Sequence, residues 1–408
     1  MNNWNRNNRK NPTPIKDAIQ KLPYGFAPVD KSKLTYKGKQ SLNTYSHELY
    51  TGHIDCKMYV LNRIIVGNHQ VSTDKQKSEI YPLVVDNRIL IPSTTLKSCV
   101  ANFLAAYLGY PLSRVNEEKY GLVKKPAPPE GSDSSNMKRY IEYYNLDYCK
   151  YDKQQVVDGK LNVIEELFGY SLSDMTIEHK NRAKSGKVHF SYAVASAEYV
   201  DLRKEMSLPF AGSPYTDRIK FYFRKKTNAR MNNATPSPRL VGRKFYFSTE
   251  EANTKGKECR KLHDVLVANE TYPEFRFQVH FENMKKDELD RLCFGLCLGQ
   301  NFKPVAGDIR QKNDVAYCKA QALLCHQIGY GKNFGMGAVK VVIENESDSS
   351  AQGASVTRVV FNENSKQLEQ EPYYPDFENL SKNLNGDLLS LVQYYKEPRA
   401  YPLPGSRR

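Results

Sequence analysis

At 408 residues the chain can form two to three ordinary domains, or one domain carrying large insertions. Hydrophobic residues make up 40% of it, enough for a sizeable core, and no apolar run approaches the length of a membrane-spanning helix. Sixty Lys and Arg against 45 Asp and Glu leave a net charge of +15, a field that attracts polyanions and nucleic acid above all. A soluble basic enzyme would show the same balance.

The first 46 residues hold nine Lys and Arg against Asp17 and Asp30, with abundant Asn and Pro and little apolar periodicity. This predicts a mobile basic arm over 1–46. With no apolar h-region, it gives no secretory signal. The eight scattered cysteines are therefore expected as reduced thiols in a cytoplasm.

Over 47–111 the pattern sharpens. "HIDCKMYVLNRIIVG" alternates at Ile54, Cys56, Met58 and Val60, as a half-buried strand does. A polar, charged loop is expected over 68–82. "LVVDNRILIP" then reads as a hairpin turning at Asp86-Asn87. In "STTLKSCVANFLAAYLGYP" a helical stripe runs through Leu96, Val100, Leu104, Tyr107 and Leu108, with Ser93 or Thr94 as N-cap and Pro111 as the stop. Residues 112–180 change to linker-like sequence, "VKKPAPPEGSDSSNMKRY", and are taken as an insertion.

From 181 to 344 regular patterns resume. "GKVHFSYAVASAEYV", "DRIKFYFRKK" and "RLVGRKFYFST" read as strands. "FRFQVHFEN" alternates most clearly, at Phe275, Phe277, Val279 and Phe281. "KKDELDRLCFGLCLG" spaces Leu289, Leu292, Cys293 and Leu296 as a helix, and "AVKVVIE" is a final strand. Residues 345–408 form a polar, loop-rich C-terminal extension with a short helix over "NLNGDLLSLVQYY". Stripped of its insertion, the order predicts an α+β fold. It is a ferredoxin-like (RRM-like) βαββαβ core with extended N- and C-terminal segments.

Three stretches could carry chemistry. In "ILIPSTTLKS", Ser93, Thr94, Thr95 and Lys97 stand where a helix begins, and free amides with the helix dipole favour an anion there; ordinary N-capping would use the same residues. "GYGKNFGMG" places Gly329, Gly331, Lys332, Asn333 and Gly335 in one loop. It lacks the Ser or Thr of a Walker A motif after its lysine, and it precedes a strand where a dinucleotide fingerprint would open a helix. A loop lying along a phosphate backbone, with Lys332 as a point charge, fits better. Cys293, Cys297, Cys318, Cys325 and His326 lack paired C-x2-C knuckles, so buried thiols are favoured over a zinc site.

Together these segments resemble the CRISPR-associated RAMP superfamily. "ILIPSTTLKS" is similar to its "IPGSSLKG" segment, "SGKVHFSYAVASAE" to its "GRVxFSDA" strand, and "HQIGYGKNFGMGAVKV" to its glycine-rich loop. "MSLPFAGSPYTDRIKFYF", "LVGRKFYFS" and "FRFQVHFENMKKDELDRLCFGL" add to the likeness, which is strongest to backbone-type subunits of type III CRISPR effector complexes. The resemblance implies a subunit that grips CRISPR RNA by its sugar–phosphate chain and lets its bases pair with target RNA, beside sister CRISPR-associated subunits. Ser93, Thr94, Thr95, Lys97, Gly329, Gly331, Lys332, Asn333 and Gly335 would then contact guide RNA. Thr94 replaces the family's glycine, which weakens the expected close approach there. Arg239, Arg243 and Lys244 join the candidates on charge alone, against a solvated strand face.

The resemblance also raises cleavage of target RNA with a divalent metal, Mg or Mn. If Pro82 aligns with the family's proline, the usual aspartate position holds Ile80, with Glu79 one residue away and Asp74 farther up the loop. Asp74 and Glu79 are therefore the catalytic candidates, against an ordinary acidic surface loop. An alternative is a metal-independent endoribonuclease that processes CRISPR precursor RNA by histidine acid–base chemistry, for which His47, His53, His69 and His326 are available. A third reading is a non-catalytic capping or adaptor subunit.

Overall fold

A computed structural model describes residues 23–30, 33–38, 48–72, 78–110, 158–171, 183–209, 223–224, 239–240, 242–250, 258–304, 323–344 and 356–395. It is a mixed α+β fold whose largest unit is a sheet of 14 strands. The principal strands are β1 (Tyr24–Ala27), β2 (Tyr50–Val60), β3 (Gly67–Ser72), β4 (Ser78–Val85), β5 (Arg88–Ile91), β6 (Val188–Phe190), β7 (Ala193–Ala195) and β8 (Arg203–Pro209). They continue with β9 (Arg243–Tyr246), β10 (Glu258–Val267), β11 (Glu274–Met284), β12 (His326–Gln327), β13 (Ala338–Ile343), β14 (Val356–Asn362) and β15 (Gln367–Tyr373). The helices are α1 (Ser93–Tyr107), α2 (Val163–Phe168), α3 (Lys286–Cys297), α4 (Glu378–Lys382) and α5 (Gly386–Val392).

At the centre β2 pairs antiparallel with β11 on one side and with β13 on the other, and β11 pairs in turn with β6 and β7. Register follows from side-chain alternation. Phe275, Phe277, Val279 and Phe281 of β11 stand opposite Met58, Cys56, Ile54 and Gly52 of β2. The apolar side chains of this row are buried on one face, where α1 and α3 pack over them through Leu96, Val100, Phe103 and Leu104 and through Leu289, Leu292, Cys293 and Leu296. A one-residue slip of either strand would turn the row to the opposite face, so burial holds the register.

The hairpin turns where its sequence says it should. Asp86 and Asn87 adopt φ of 47° and 59°, the left-handed pair that a two-residue turn between twisted strands requires. Helix α1 begins one residue earlier than expected. Its N-cap is Pro92, with φ −58° and ψ 139°, and no side chain caps it. Ser93, Thr94 and Thr95 therefore lie inside the first turn. Pro92 fixes the extended entry but has no side-chain oxygen to offer, so the first-turn amides lack a side-chain partner. The chain leaves α1 through Leu108, and Pro111 lies outside the described residues.

Other differences have local causes. The expected loop over 68–82 is largely the hairpin of β3 and β4, because Ile80 is buried between β3 and β10. Tyr24–Ala27, expected within the basic arm, pairs antiparallel with β9. The C-terminal extension contains the β14–β15 hairpin, whose exposed Leu368 and polar neighbours hide its alternation. Within 112–180, α2 starts from an Asn162–Glu165 capping box and packs on α1 and β6. Lys187, fully buried, joins this segment to α3: its Nζ lies 2.9 Å from Glu288 and 4.0 Å from Glu166. No described helix is long and apolar enough to cross a membrane.

Candidate nucleic-acid interface

The glycine-rich loop between β12 and β13 is fastened from below. Asn62, buried at the end of β2, donates through Nδ2 to the carbonyls of Thr249 and Gly335 at 2.7 and 2.8 Å, and its Oδ1 accepts from Ala338 N at 3.0 Å. Tyr330 N donates to Ile65 O at 2.9 Å, and Gly337 N to Arg63 O at 2.8 Å. Sequence reasoning missed Asn62, since a single Asn after an apolar strand gives no signal of its own.

The glycines answer to this fastening. Gly329 has φ 80°, and a Cβ there would sit 2.3 Å from Ile65 O. Gly335 has φ 88°, and a Cβ there would sit 2.0 Å from Thr249 Oγ1. Protein atoms, not an open channel, stand where a side chain of either residue would go. What the loop presents outward is Lys332, which is exposed, with Asn333 half-buried beside it. The Asn333 Nδ2 is enclosed without a hydrogen-bond partner among the described residues.

Lys332 faces a cavity of about 680 Å³ that also takes in the start of α1 and strand β9. Thr94, Thr95, Gly329, Lys332 and Lys244 all line it, together with Ser98, Asn102 and Gln327, and no described Asp or Glu does. Residues from distant parts of the sequence thus meet around one space, and the charged side chains among its described lining are cations. Lys244 is held with its Nζ 3.9 Å from the centre of the Tyr24 ring and 4.7 Å from that of Tyr246. Burial pulls its pKa down to about 8.

The remaining candidates divide. Ser93 opens α1 at the same end, and Lys97 is half-buried, with burial lowering its pKa. Gly331 and Gly335 flank Lys332–Phe334 as part of the loop's frame. Arg243 points inward: it donates to Asn102 Oδ1 at 2.9 Å and to Tyr110 O at 3.4 Å, and burial lowers its pKa to about 10. Arg239 lies in a two-residue strand opposite Arg224.

Of the two acidic candidates, Asp74 lies outside the described residues. Glu79 sits on β4, where its Oε2 accepts from Tyr81 Oη at 2.6 Å and lies 3.0 Å from His263 Nε2. These bonds, led by the one from Tyr81, lower its pKa. His263 also meets Glu205 through Nδ1 at 3.1 Å and stacks on Tyr81 with ring centres 4.3 Å apart. Glu79 is thus tied to its neighbours, and no described group of three or more His, Cys, Asp or Glu is arranged to hold a metal ion. Glu79 by itself supplies one carboxylate, short of a ligand set for a divalent metal.

The cysteines and histidines resolve similarly. Cys293, Cys297 and Cys325 are buried thiols with pKa values pushed up by burial, while Cys318 lies outside the described residues. His326 Nε2 donates to the carbonyls of Gly295 and Leu296 at 2.9 and 3.1 Å, and burial lowers its pKa to about 4. His47 lies outside the described residues, and His69 falls in β3. The sheet also makes a row that the sequence did not reveal. His189 of β6 stands opposite His280 of β11, which stands opposite His53 of β2. The His53 and His280 rings are 6.2 Å apart, and Asp55 Oδ2 lies 3.4 Å from His53 Nε2.

A family model described as the RAMP superfamily matches residues 57–340, well over half of the chain. The chain belongs to the RAMP superfamily. The matched span contains α1, β11 and α3, Lys244 and the glycine-rich loop. No curated protein matches the chain.

Proposed function

We propose that this RAMP protein is an RNA-binding subunit of a type III CRISPR ribonucleoprotein, working in antiviral defence. It holds CRISPR RNA by the sugar–phosphate backbone and leaves the bases free to pair with target RNA. One observation carries the reading: Lys332, Lys244, Thr94 and Thr95 converge on a cavity whose described lining residues include no carboxylate. Next to it the first turn of α1 has the amides of Ser93 and Thr94 without a side-chain cap and carries no acidic residue. Such a site recognises phosphate wherever it occurs along a strand, as a sequence-independent holder must.

Strand order supports the ferredoxin-like reading of the core. β13, β2, β11 and β6/β7 lie side by side and antiparallel, with α1 between β2 and β6 in the chain, after the β3–β5 strands, and α3 between β11 and β13. Residues 112–180 are read as an insertion in this core and 345–408 as an extension. Co-purification from the native host with sequencing of bound RNA tests the reading. CRISPR RNA recovered with sister subunits supports it, and a preparation free of RNA refutes it.

Metal-dependent cutting of target RNA is a separate proposal, drawn from the resemblance. With Glu79 engaged by Tyr81 and His263, it rests mainly on Asp74. Target cutting by the assembled complex with Mg or Mn should be lost in Asp74→Ala; unchanged cutting in both Asp74→Ala and Glu79→Ala removes the proposal.

The histidine row favours a second reading, metal-independent cleavage of precursor RNA. One imidazole of the His53–His280 pair would take the proton of a ribose 2′-hydroxyl as its oxygen bonds the adjacent phosphorus. The other would protonate the departing 5′-oxygen as its bond to phosphorus breaks. Against it, the same sheet face carries Asp55, Glu274 and Glu282 beside Lys57 and Arg276, a poor field for RNA. Cleavage in EDTA that is lost in His53→Ala and His280→Ala would establish this reading, and intact RNA would dismiss it.

A further inference from the structure

We propose that the cavity beside Lys332 receives one whole nucleotide, with its phosphate at the rim and its base on the floor. The inference rests on the reading of this site as an RNA grip and specifies what the grip encloses. Size is the first argument. A phosphate resting on Lys332 and the hydroxyls of α1 needs only the rim, whereas about 680 Å³ falls within the range of pockets that enclose whole small molecules.

The lining also changes character with depth. Thr94, Ser98 and Lys332 are exposed and polar, so they form the rim. Phe103, His326 and Val392 are at most 5% exposed and form the floor. His326 is uncharged near neutral pH, because its Nε2–H is committed to the Gly295 and Leu296 carbonyls and burial disfavours its cation. The described floor, which also holds Ser248 hydrogen-bonded to Cys325, therefore carries no cation for a second anion. Phe245 and Tyr246 add aromatic surface on the β9 side. A ligand with one anionic end and one flat neutral end matches this arrangement, and a nucleoside monophosphate unit is such a ligand. It can come from a nucleotide within a bound RNA strand or from a free nucleotide.

Calorimetric titration of the full chain with adenosine 5′-monophosphate and with ribose 5-phosphate tests the pocket. The base should add about tenfold in affinity. Ser98→Trp, placed on an exposed position of α1 so that the core is undisturbed, should abolish that advantage. Equal binding of the two probes, or an advantage that survives Ser98→Trp, overturns the pocket. A mixed-sequence single-stranded RNA added as competitor separates the sources. Displacement of the nucleotide assigns the pocket to a strand nucleotide, and simultaneous binding assigns it to a free one; either supports the pocket. RNA binding that depends on Lys332 while the two probes bind equally leaves the grip standing without the pocket. If the wild-type chain binds neither RNA nor nucleotide, both proposals fall.

Discussion

Replacing Gly329 by alanine separates two roles that a glycine-rich loop can have. If the glycine exists to admit RNA, Gly329→Ala should weaken RNA binding and leave stability alone. The structure predicts the reverse order of effects. At φ 80° an L-residue costs roughly 1–2 kcal/mol. In addition, the new Cβ would lie 2.3 Å from Ile65 O, where ordinary contact starts at 3.4 Å, so one backbone segment must move by about 1 Å. That movement strains the 2.9 Å bond from Tyr330 N to the same oxygen, worth about 1 kcal/mol. The sum is about 2–3 kcal/mol of lost stability, read as a lower midpoint in urea unfolding followed by circular dichroism. RNA affinity measured well below the transition should fall less than tenfold. A variant with wild-type stability and abolished RNA binding would refute this account of the loop.

Further expectations follow from individual contacts. Asn62→Ala removes the hydrogen bonds to the carbonyls of Thr249 and Gly335 and from the amide of Ala338, and should cost about 3 kcal/mol in the same unfolding assay. Lys187→Met leaves the nearly buried Glu288 carboxylate unpaired and should cost about 3–5 kcal/mol, a loss that Lys187→Met with Glu288→Gln should partly recover. Protonation of His326 opposes folding, because its pKa falls from 6.5 to about 4 on burial. Its contribution is complete above pH 6.5 and is lost as pH drops toward 4. Urea midpoints at pH 7 and pH 5 should therefore differ for the wild type by more than for His326→Gln.

The sequence made the frame legible wherever burial was one-sided. Phe275, Phe277, Val279 and Phe281 alternate because one face of β11 meets helices and the other does not, and Leu289, Leu292, Cys293 and Leu296 repeat for the matching reason on α3. Asp86-Asn87 was legible because few residue pairs tolerate that turn. Strands with exposed apolar side chains were not, as β14–β15 shows with Leu368 at 69% exposure. The site was visible only in pieces. Thr94, Thr95 and Lys332 carry local signals, but their meeting with Lys244 depends on the pairing of β1 with β9, a contact between residues more than 200 apart. Asn62 and the His53–His280 pair were hidden for the same reason: their partners are chosen by the sheet. Meanwhile the glycines, which pointed to the loop, turned out to report its packing on Ile65 and Thr249.

The central claim is that Lys332 and Lys244 grip a phosphate backbone, and the salt dependence of RNA affinity tests it most directly. Fluorescence anisotropy with single-stranded RNAs of unrelated sequence, titrated from low to high salt, should give similar affinities for each wild-type complex. For Lys244→Ala combined with Lys332→Ala, the log–log slope should shrink by about 1.4, two phosphate contacts at about 0.7 each. A double variant with unchanged affinity and slope would contradict the claim.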